Sequence, residues 1–282
     1  MKRTWLSIIM TVILSLSFAI TAYAANESED NNTMDSATSI AVNESVYGSI
    51  GDKNDKDWYR VYVPSDGAVS FQFEHTVLSS TNTYWEMYLY RSDGVTPIYG
   101  KDTYWNIPGN ENRTTAEMGL PAGTYYIKIA PYSSDRYESS AYTLRINHTA
   151  SSVWETEINN TSSDADELSV NTDYFGSICG KNDADWFTFE LKSTAEITLN
   201  FSHASNGNSS TYWEAYFYSS DGVSEICDLL NIPGDQLTSS YNLGELGAGR
   251  YYLKILPYSG DRYDTSSYTL HLGEKHIYCR FS

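Results

Sequence analysis

Positive charge is scarce in this chain. Eighteen Lys and Arg face 36 Asp and Glu, a formal net charge of −18 at pH 7. Phosphate binding is driven by cationic side chains, so nucleic acid and anionic membrane surfaces are poor partners. Cations, basic proteins and neutral polymers remain. Cysteine is sparse too: Cys179, Cys227 and Cys279 all lie in the second half, so the first half cannot depend on a disulfide. An odd count leaves one thiol unpaired or intermolecular, and pairing of Cys179 with Cys227 is as open as no pairing. After residue 20 no segment approaches the roughly 18–20 apolar residues of a spanning helix. A G-x-S-x-G nucleophile elbow and an H-E-x-x-H zinc motif are both missing.

What is present begins with Lys2 and Arg3, the apolar stretch "LSIIMTVILSLSFAI" (6–20) and "AYA" (22–24). This order fits a secretory signal peptide over residues 1–24, with a mature start at Ala25 and no membrane insertion. Removing Lys2 and Arg3 leaves 16 basic against 36 acidic side chains, a net −20. Tyrosine is abundant at 25 residues, and helix formers do not cluster in 3.6-residue blocks, which favours an all-β chain.

The chain repeats itself. "DKNDKDWY" (52–59) returns as "GKNDADWF" (180–187), and "NTYWEMYLYRSDG" (82–94) as "STYWEAYFYSSDG" (210–222), both 128 residues on. At an offset of 126, "AGTYYIKIAPYSSDRY" (122–137) returns as "AGRYYLKILPYSGDRY" (248–263). Such self-similarity is the signature of internal duplication. It predicts two units, 25–150 and 151–273, a boundary near "NHTASSVW" (147–154) and a tail over 274–282. Within each unit the period is two. Trp85, Met87 and Leu89 oppose Glu86, Tyr88 and Tyr90, and Tyr125, Ile127 and Ile129 oppose Tyr126 and Lys128; half-buried strands alternate this way. Turn signals "SDG", "IPG" and "AG" space them as in an antiparallel sandwich.

A second acidic motif precedes each repeated loop: "ESEDNNT" (27–33) and "ETEINNT" (155–161). In an extended segment Glu27, Glu29 and Asn31 project from one face, toward a loop carrying Asp55 and Asp57. Ca²⁺ takes roughly six to eight oxygens from carboxylates, amides and backbone, and this pattern can supply them. The bland alternative is acids that solvate a surface strand and cap turns.

At these residues the chain resembles the bacterial pre-peptidase C-terminal domain family, and within it the collagen-binding domains of clostridial collagenases. The shared pattern is E-x-E-x-N-N, a G-S-I strand, a D-x-D-W-[YF] loop, a strand leading to D-G and a late A-G-x-Y-Y-[IL]-K-I strand. The resemblance implies a jelly-roll-like β-sandwich tethered to secreted proteases, with calcium on the N-terminal acidic segment. Carried onto this sequence, it implies as metal ligands Glu27, Glu29, Asn31, Asp55 and Asp57, then Glu155, Glu157, Asn159, Asp183 and Asp185. The position after the first Asn, acidic in some relatives, is Asn32 and Asn160 here.

Tyr88, Tyr90, Tyr126 and Lys128, with Tyr216, Tyr218, Tyr252 and Lys254, fall on faces expected to meet solvent. Tyrosine suits protein or sugar binding, and ordinary cross-strand pairing explains the same residues without a ligand. Trp58, Trp85, Trp186 and Trp213 are expected in the core, and "DRY" (135–137, 261–263) as an Asp–Arg pair near a turn. His75 and His203 read as strand-end residues, Glu86 and Glu214 lack a second carboxylate for glycosidase chemistry, and "HLGEKHIYC" (271–279) matches no zinc spacing. Together these features point to an exported, calcium-stabilised, non-catalytic module that engages an extracellular protein or polysaccharide. The rival is an accessory of a secreted protease with no ligand of its own.

Overall fold

The structure is a computed structural model and describes residues 25–98 and 104–276. The expected signal peptide (1–24), Cys279 and the end of the expected tail lie outside the described residues. Strands run in chain order as β1 (Ala25–Asn26), β2 (Thr38–Ala41), β3 (Ser45–Gly48), β4 (Asp57–Val63), β5 (Gly67–His75), β6 (Thr83–Tyr90), β7 (Tyr104–Pro108), β8 (Arg113–Thr114), β9 (Met118–Leu120), β10 (Gly123–Pro131) and β11 (Tyr142–Ala150). They continue as β12 (Asp166–Glu167), β13 (Asp173–Gly176), β14 (Asp185–Leu191), β15 (Ala195–His203), β16 (Thr211–Tyr218), β17 (Leu230–Pro233), β18 (Thr238–Leu246), β19 (Gly249–Pro257) and β20 (Tyr268–His276).

The protein is all-β and sandwich-like. One sheet orders its strands β1-β3-β11-β5-β8, with β9 also on β5, and it faces β2-β4-β10-β6-β7 across a shared core; in the second half β12-β14-β19-β16-β17 and β13-β20-β15-β18 do the same. Most pairs are antiparallel, and the edge pairs β1/β3, β2/β4 and β12/β14 are parallel. The alternation read from sequence is visible in burial. Trp85, Met87, Leu89, Ile127 and Ile129 are buried between the sheets with Phe71, Phe73 and Leu144, while Tyr88, Tyr126 and Lys128 look outward. A second core gathers Phe187, Phe189, Leu199, Phe201, Trp213, Phe217 and Leu253. Each such side chain contributes about 1.5–3 kcal/mol by leaving water, which is how each half holds its corner rigid.

Several expectations are corrected. The polar stretch 147–150 is strand rather than linker, because Asn147 to Ala150 complete β11 by pairing with Ser70 to Gly67. Residues 274–276 likewise extend β20 against β15 instead of beginning a tail. Neither Cys179 nor Cys227 is in a disulfide; Cys179 packs on the first core and Cys227 on the second. Trp58 leaves the core for the outer face of β4, since its neighbours Tyr59 and Val61 take the inward positions, whereas Trp186, at the matching position of β14, is buried. In "DRY" the guanidinium groups of Arg136 and Arg262 sit over Tyr132 and Tyr258, 4.8 and 4.6 Å from the ring centres, instead of pairing with Asp. Among the described residues no helix is long and apolar enough to cross a membrane.

Candidate metal centre and aromatic face

The first corner forms where the chain leaves β1, crosses the loop 51–56 and meets the start of β4. Beyond Ala25–Asn26 the acidic segment is not strand, so its side chains converge through fixed hydrogen bonds and not through strand alternation. Ser49 N–H donates to Glu27 Oε1 (2.6 Å), and the Tyr59 hydroxyl donates to Glu27 Oε2 (2.7 Å). Trp58 N–H donates to the Asn31 carbonyl (3.0 Å) and Lys56 N–H to Asn32 Oδ1 (2.9 Å). Asn32 thus clamps the loop. Gly51 N–H closes the turn onto Asp55 Oδ2 (2.6 Å). The peptide bonds Glu29–Asp30 and Glu157–Ile158 are both cis.

Carboxylate oxygens of Glu27, Glu29 and Asp57 lie within 4.8 Å of one another. Asn31 and Asp57 are fully buried, and the Oδ1 atoms of Asn31, Asp55 and Asp57 have no hydrogen-bond partner. Burial, then the charges of Glu27, Asp55 and Glu29, push the Asp57 carboxyl up to about 9, although the Tyr142 hydroxyl donates to its Oδ2. Burial and the charges of Asp55 and Glu27 raise Glu29 as well. Buried like charges without a counter-cation cost several kcal/mol, and an oxygen-seeking cation offsets that cost directly. A recess of about 430 Å³, lined by Glu29, Asn32, Asp52 and Asp55 among others, opens onto this corner.

The second corner repeats the plan with altered details. Ser177 N–H donates to Glu155 Oε1 (2.6 Å), Trp186 N–H to the Asn159 carbonyl (3.0 Å), Ala184 N–H to Asn160 Oδ1 (2.7 Å) and Cys179 N–H to Asp183 Oδ2 (2.7 Å). Two sets form within 4.8 Å: Glu155, Glu157 and Asp185, and Glu157, Cys179 and Asp183. Asn159 and Asp185 are fully buried with Oδ1 atoms that lack hydrogen-bond partners. Burial and the Asp183 charge push Glu155 up to about 8, and burial pushes Asp183 up to about 6. Asp185 stands well above the carboxylate range through burial and then the charges of Glu155, Asp183 and Glu157.

Sequence reasoning missed the supporting groups. Tyr59 and Tyr142 share a hydroxyl contact of 2.7 Å, and Tyr142 and Tyr268 donate to Asp57 and Asp185. Their signal was the glycine of "GSI": a Cβ on Gly48 would overlap the Tyr59 hydroxyl and sit 2.6 Å from the Tyr142 hydroxyl, and one on Gly176 would overlap the Tyr268 hydroxyl. Thr38 in the first corner accepts from Ser28 N–H (3.0 Å); its counterpart Asp166 accepts from Thr156 N–H (2.8 Å) and Asn159 Nδ2 (3.0 Å). At the position of Tyr59 the second half has Phe187, so Glu155 receives no hydroxyl from it.

The outward residues form a row across three strands. Lys128 pairs in register with Trp58 on one side and Tyr88 on the other, and Tyr126 with Tyr90. Trp58 stacks on Tyr90 at 5.4 Å, and Lys128 Nζ lies 3.8 Å from the Tyr88 ring centre. Burial lowers the Lys128 ammonium, with Glu86 opposing. Beside the row, a groove of about 480 Å³ runs past Arg60, Tyr62 and Tyr126, where Tyr62 is 63% exposed. The second half differs. Trp186 and Tyr218 stack at 5.1 Å and are only 8% and 9% exposed, which corrects the expectation that Tyr218 faces solvent. Lys254 lies 5.3 Å from Trp186, and Tyr216 and Tyr252 are half-buried. His75 is held by backbone carbonyls: Nδ1 faces Thr76 O (2.9 Å) and Nε2 faces Pro108 O (3.1 Å), with the ring 4.5 Å from Trp85. His203 repeats this against Ala204 O and Pro233 O. Tyr88 donates to Glu86 (2.6 Å).

No family model matches the chain. Among solved structures, the pre-peptidase C-terminal domain of a collagenase from Bacillus anthracis is 18% identical, covering 39% of this chain and 94% of that domain at a TM-score of 0.31. A protein from Eubacterium rectale is 13% identical, covering 86% of this chain and 81% of its own at a TM-score of 0.29. Over 261 residues, 89% of its length, the chain is similar at 24% identity to Collagenase ColA of Clostridium perfringens, of which it spans 22%.

Proposed function

We propose that this protein is an exported, non-catalytic binding module, built of sandwiches over 25–150 and 151–276, that calcium stabilises and that engages an extracellular protein. The observation that carries the calcium reading is the set of buried, partnerless oxygens on Asn31, Asp55 and Asp57 beside the Glu27–Glu29–Asp57 cluster. That all-oxygen set suits a hard cation at the roughly 10⁻⁴–10⁻³ M affinity of extracellular modules. Glu27, Glu29, Asn31, Asp55 and Asp57 would hold it, and Glu155, Glu157, Asn159, Asp183 and Asp185 form the corresponding cation-binding set of the second half.

The binding face is the row Trp58, Tyr88, Tyr90, Tyr126 and Lys128. Rigid aromatic rings held by cross-strand neighbours offer flat apolar area at little entropic cost, and a partly dehydrated ammonium adds a cation for carbonyl or carboxylate partners. Similarity to a collagenase over this length supports a fibrous protein, collagen first, with polysaccharide as the other class. If both halves reach one fibre the second contact becomes intramolecular and raises retention. Co-sedimentation with insoluble collagen and with insoluble polysaccharides, with calcium and with chelator, tests this. Retention on collagen that falls in Trp58→Ala is the expected result. Absence of retention on every polymer would favour an accessory of a secreted protease without a ligand of its own.

A further inference from the structure

Among the positions at which the two corners differ, one adds a sulfur donor. Gly51 in the first is Cys179 in the second, yet both residues make the same turn-closing bond, from their N–H to Asp55 Oδ2 (2.6 Å) and Asp183 Oδ2 (2.7 Å). The turn is therefore closed in the same way in both halves, and the second adds a thiol there. Cys179 Sγ, a Glu157 oxygen and an Asp183 oxygen lie within 4.8 Å of one another, and Glu157 also belongs to the adjoining Glu155–Glu157–Asp185 set. In that set Asp185, fully buried, keeps Oδ1 without a hydrogen-bond partner, as does the buried Asn159 beside it. Such buried, unsatisfied oxygens point to a cation independently of the thiol. Ser177 Oγ lies 3.2 Å from Cys179 Sγ, placed to donate to a thiolate as a supporting group does around a metal ligand. Cys179 also lines a cavity of about 750 Å³ with Lys181, Asn182 and Trp105, which provides an entry path.

Sulfur changes the class of ion. Calcium binds hard oxygen donors, whereas a thiolate with carboxylates suits zinc and its softer congeners, with water completing the shell. We infer that the second corner, through Cys179, Glu157 and Asp183, binds a thiophilic divalent cation of the zinc class, while the all-oxygen first corner takes calcium. The inference rests on reading the second corner as a metal site. Binding forms a metal–sulfur bond and releases the thiol proton to solvent; no oxidant or reductant takes part.

The test uses the full chain carrying Cys227→Ser and Cys279→Ser, reduced and stripped of metal, so that Cys179 is the remaining thiol. Cadmium, the optical stand-in for zinc, is titrated while the ultraviolet thiolate-to-metal charge-transfer band is followed, and zinc is titrated by calorimetry. The expected result is a band that saturates at one equivalent, and a zinc affinity that falls about tenfold or more in Cys179→Gly and Cys179→Ser. Both variants should keep the calcium-dependent rise in melting temperature. A band that appears only with a large excess of cadmium, or a zinc affinity unchanged in both variants, overturns the inference while an intact calcium shift leaves the calcium reading standing. An intact band without any calcium shift overturns the calcium reading alone.

Discussion

Replacing Asp57 with Asn should raise the stability of the metal-free protein and abolish its response to calcium. Asp57 is fully buried, faces Glu27 and Glu29, and has its carboxyl raised to about 9 by burial first and neighbouring charge next. A carboxyl raised in the fold above its unfolded value contributes stability that is complete below about pH 4 and is lost as pH climbs toward about 9. At pH 8 the metal-free wild type must therefore either carry a buried unpaired charge or hold a proton against the solution, a burden of about 3 kcal/mol by comparison with other uncompensated buried charges. Asn keeps an oxygen for the Tyr142 hydroxyl and turns an N–H₂ toward the Glu carboxylates. In wild type, about 5 mM calcium at a dissociation constant of 10⁻⁴–10⁻³ M contributes roughly 1–2 kcal/mol at the corner, a rise of about 3–10 °C in Tm for a domain of this size. Scanning calorimetry of wild type and Asp57→Asn, with chelator and with calcium at pH 5.5 and 8, reads all of this. The variant should melt higher than wild type at pH 8 without metal, by more than at pH 5.5, and its melting temperature should not move with calcium. A variant that melts lower without metal at pH 8, or keeps the full calcium shift, refutes the reasoning.

Gly48→Ala places a Cβ against the Tyr59 and Tyr142 hydroxyls and should cost about 1–3 kcal/mol, with loss of the calcium shift, as read by chemical denaturation with and without calcium. Trp85→Ala, in the core, should cost about 3–5 kcal/mol. Trp58→Ala, on the outer face, should cost under about 1.5 kcal/mol while removing most retention on collagen; equal destabilisation by the two in urea melts would put Trp58 back among packing residues. Lys128→Met keeps the stem over Tyr88 and removes the charge, so it should weaken sedimentation with collagen at low salt more than at high salt, since salt screens charge attraction between the two surfaces.

Much of the fold was legible because its strands are half buried: Trp85, Met87 and Leu89 had to share a face, and duplicated spacing marked which acids belong together. The same alternation in "DWYRVYV" already placed Trp58 outward with Arg60 and Tyr62, opposite Tyr59, Val61 and Val63; reading a large apolar residue as core overrode it. Polar Asn147 and His148 looked like linker because β11 exposes part of its outer face while its backbone stays paired to β5. The hydroxyls of Tyr142 and Tyr268 could not be assigned to the acids from sequence, since they come from strands about 83–85 residues away that only the sheet order brings alongside. The place of Cys179 was legible from its counterpart Gly51 in the first half rather than from Cys227.

The central claim is that partnerless oxygens at the first corner are completed by calcium. Isothermal titration of calcium into the metal-stripped full chain at pH 7.5, beside Asp57→Asn, tests it most directly. Saturable binding with a dissociation constant of about 10⁻⁴–10⁻³ M that is lost in Asp57→Asn is the result expected. Featureless dilution heats from the wild type, or an isotherm that the substitution leaves unchanged, would contradict it.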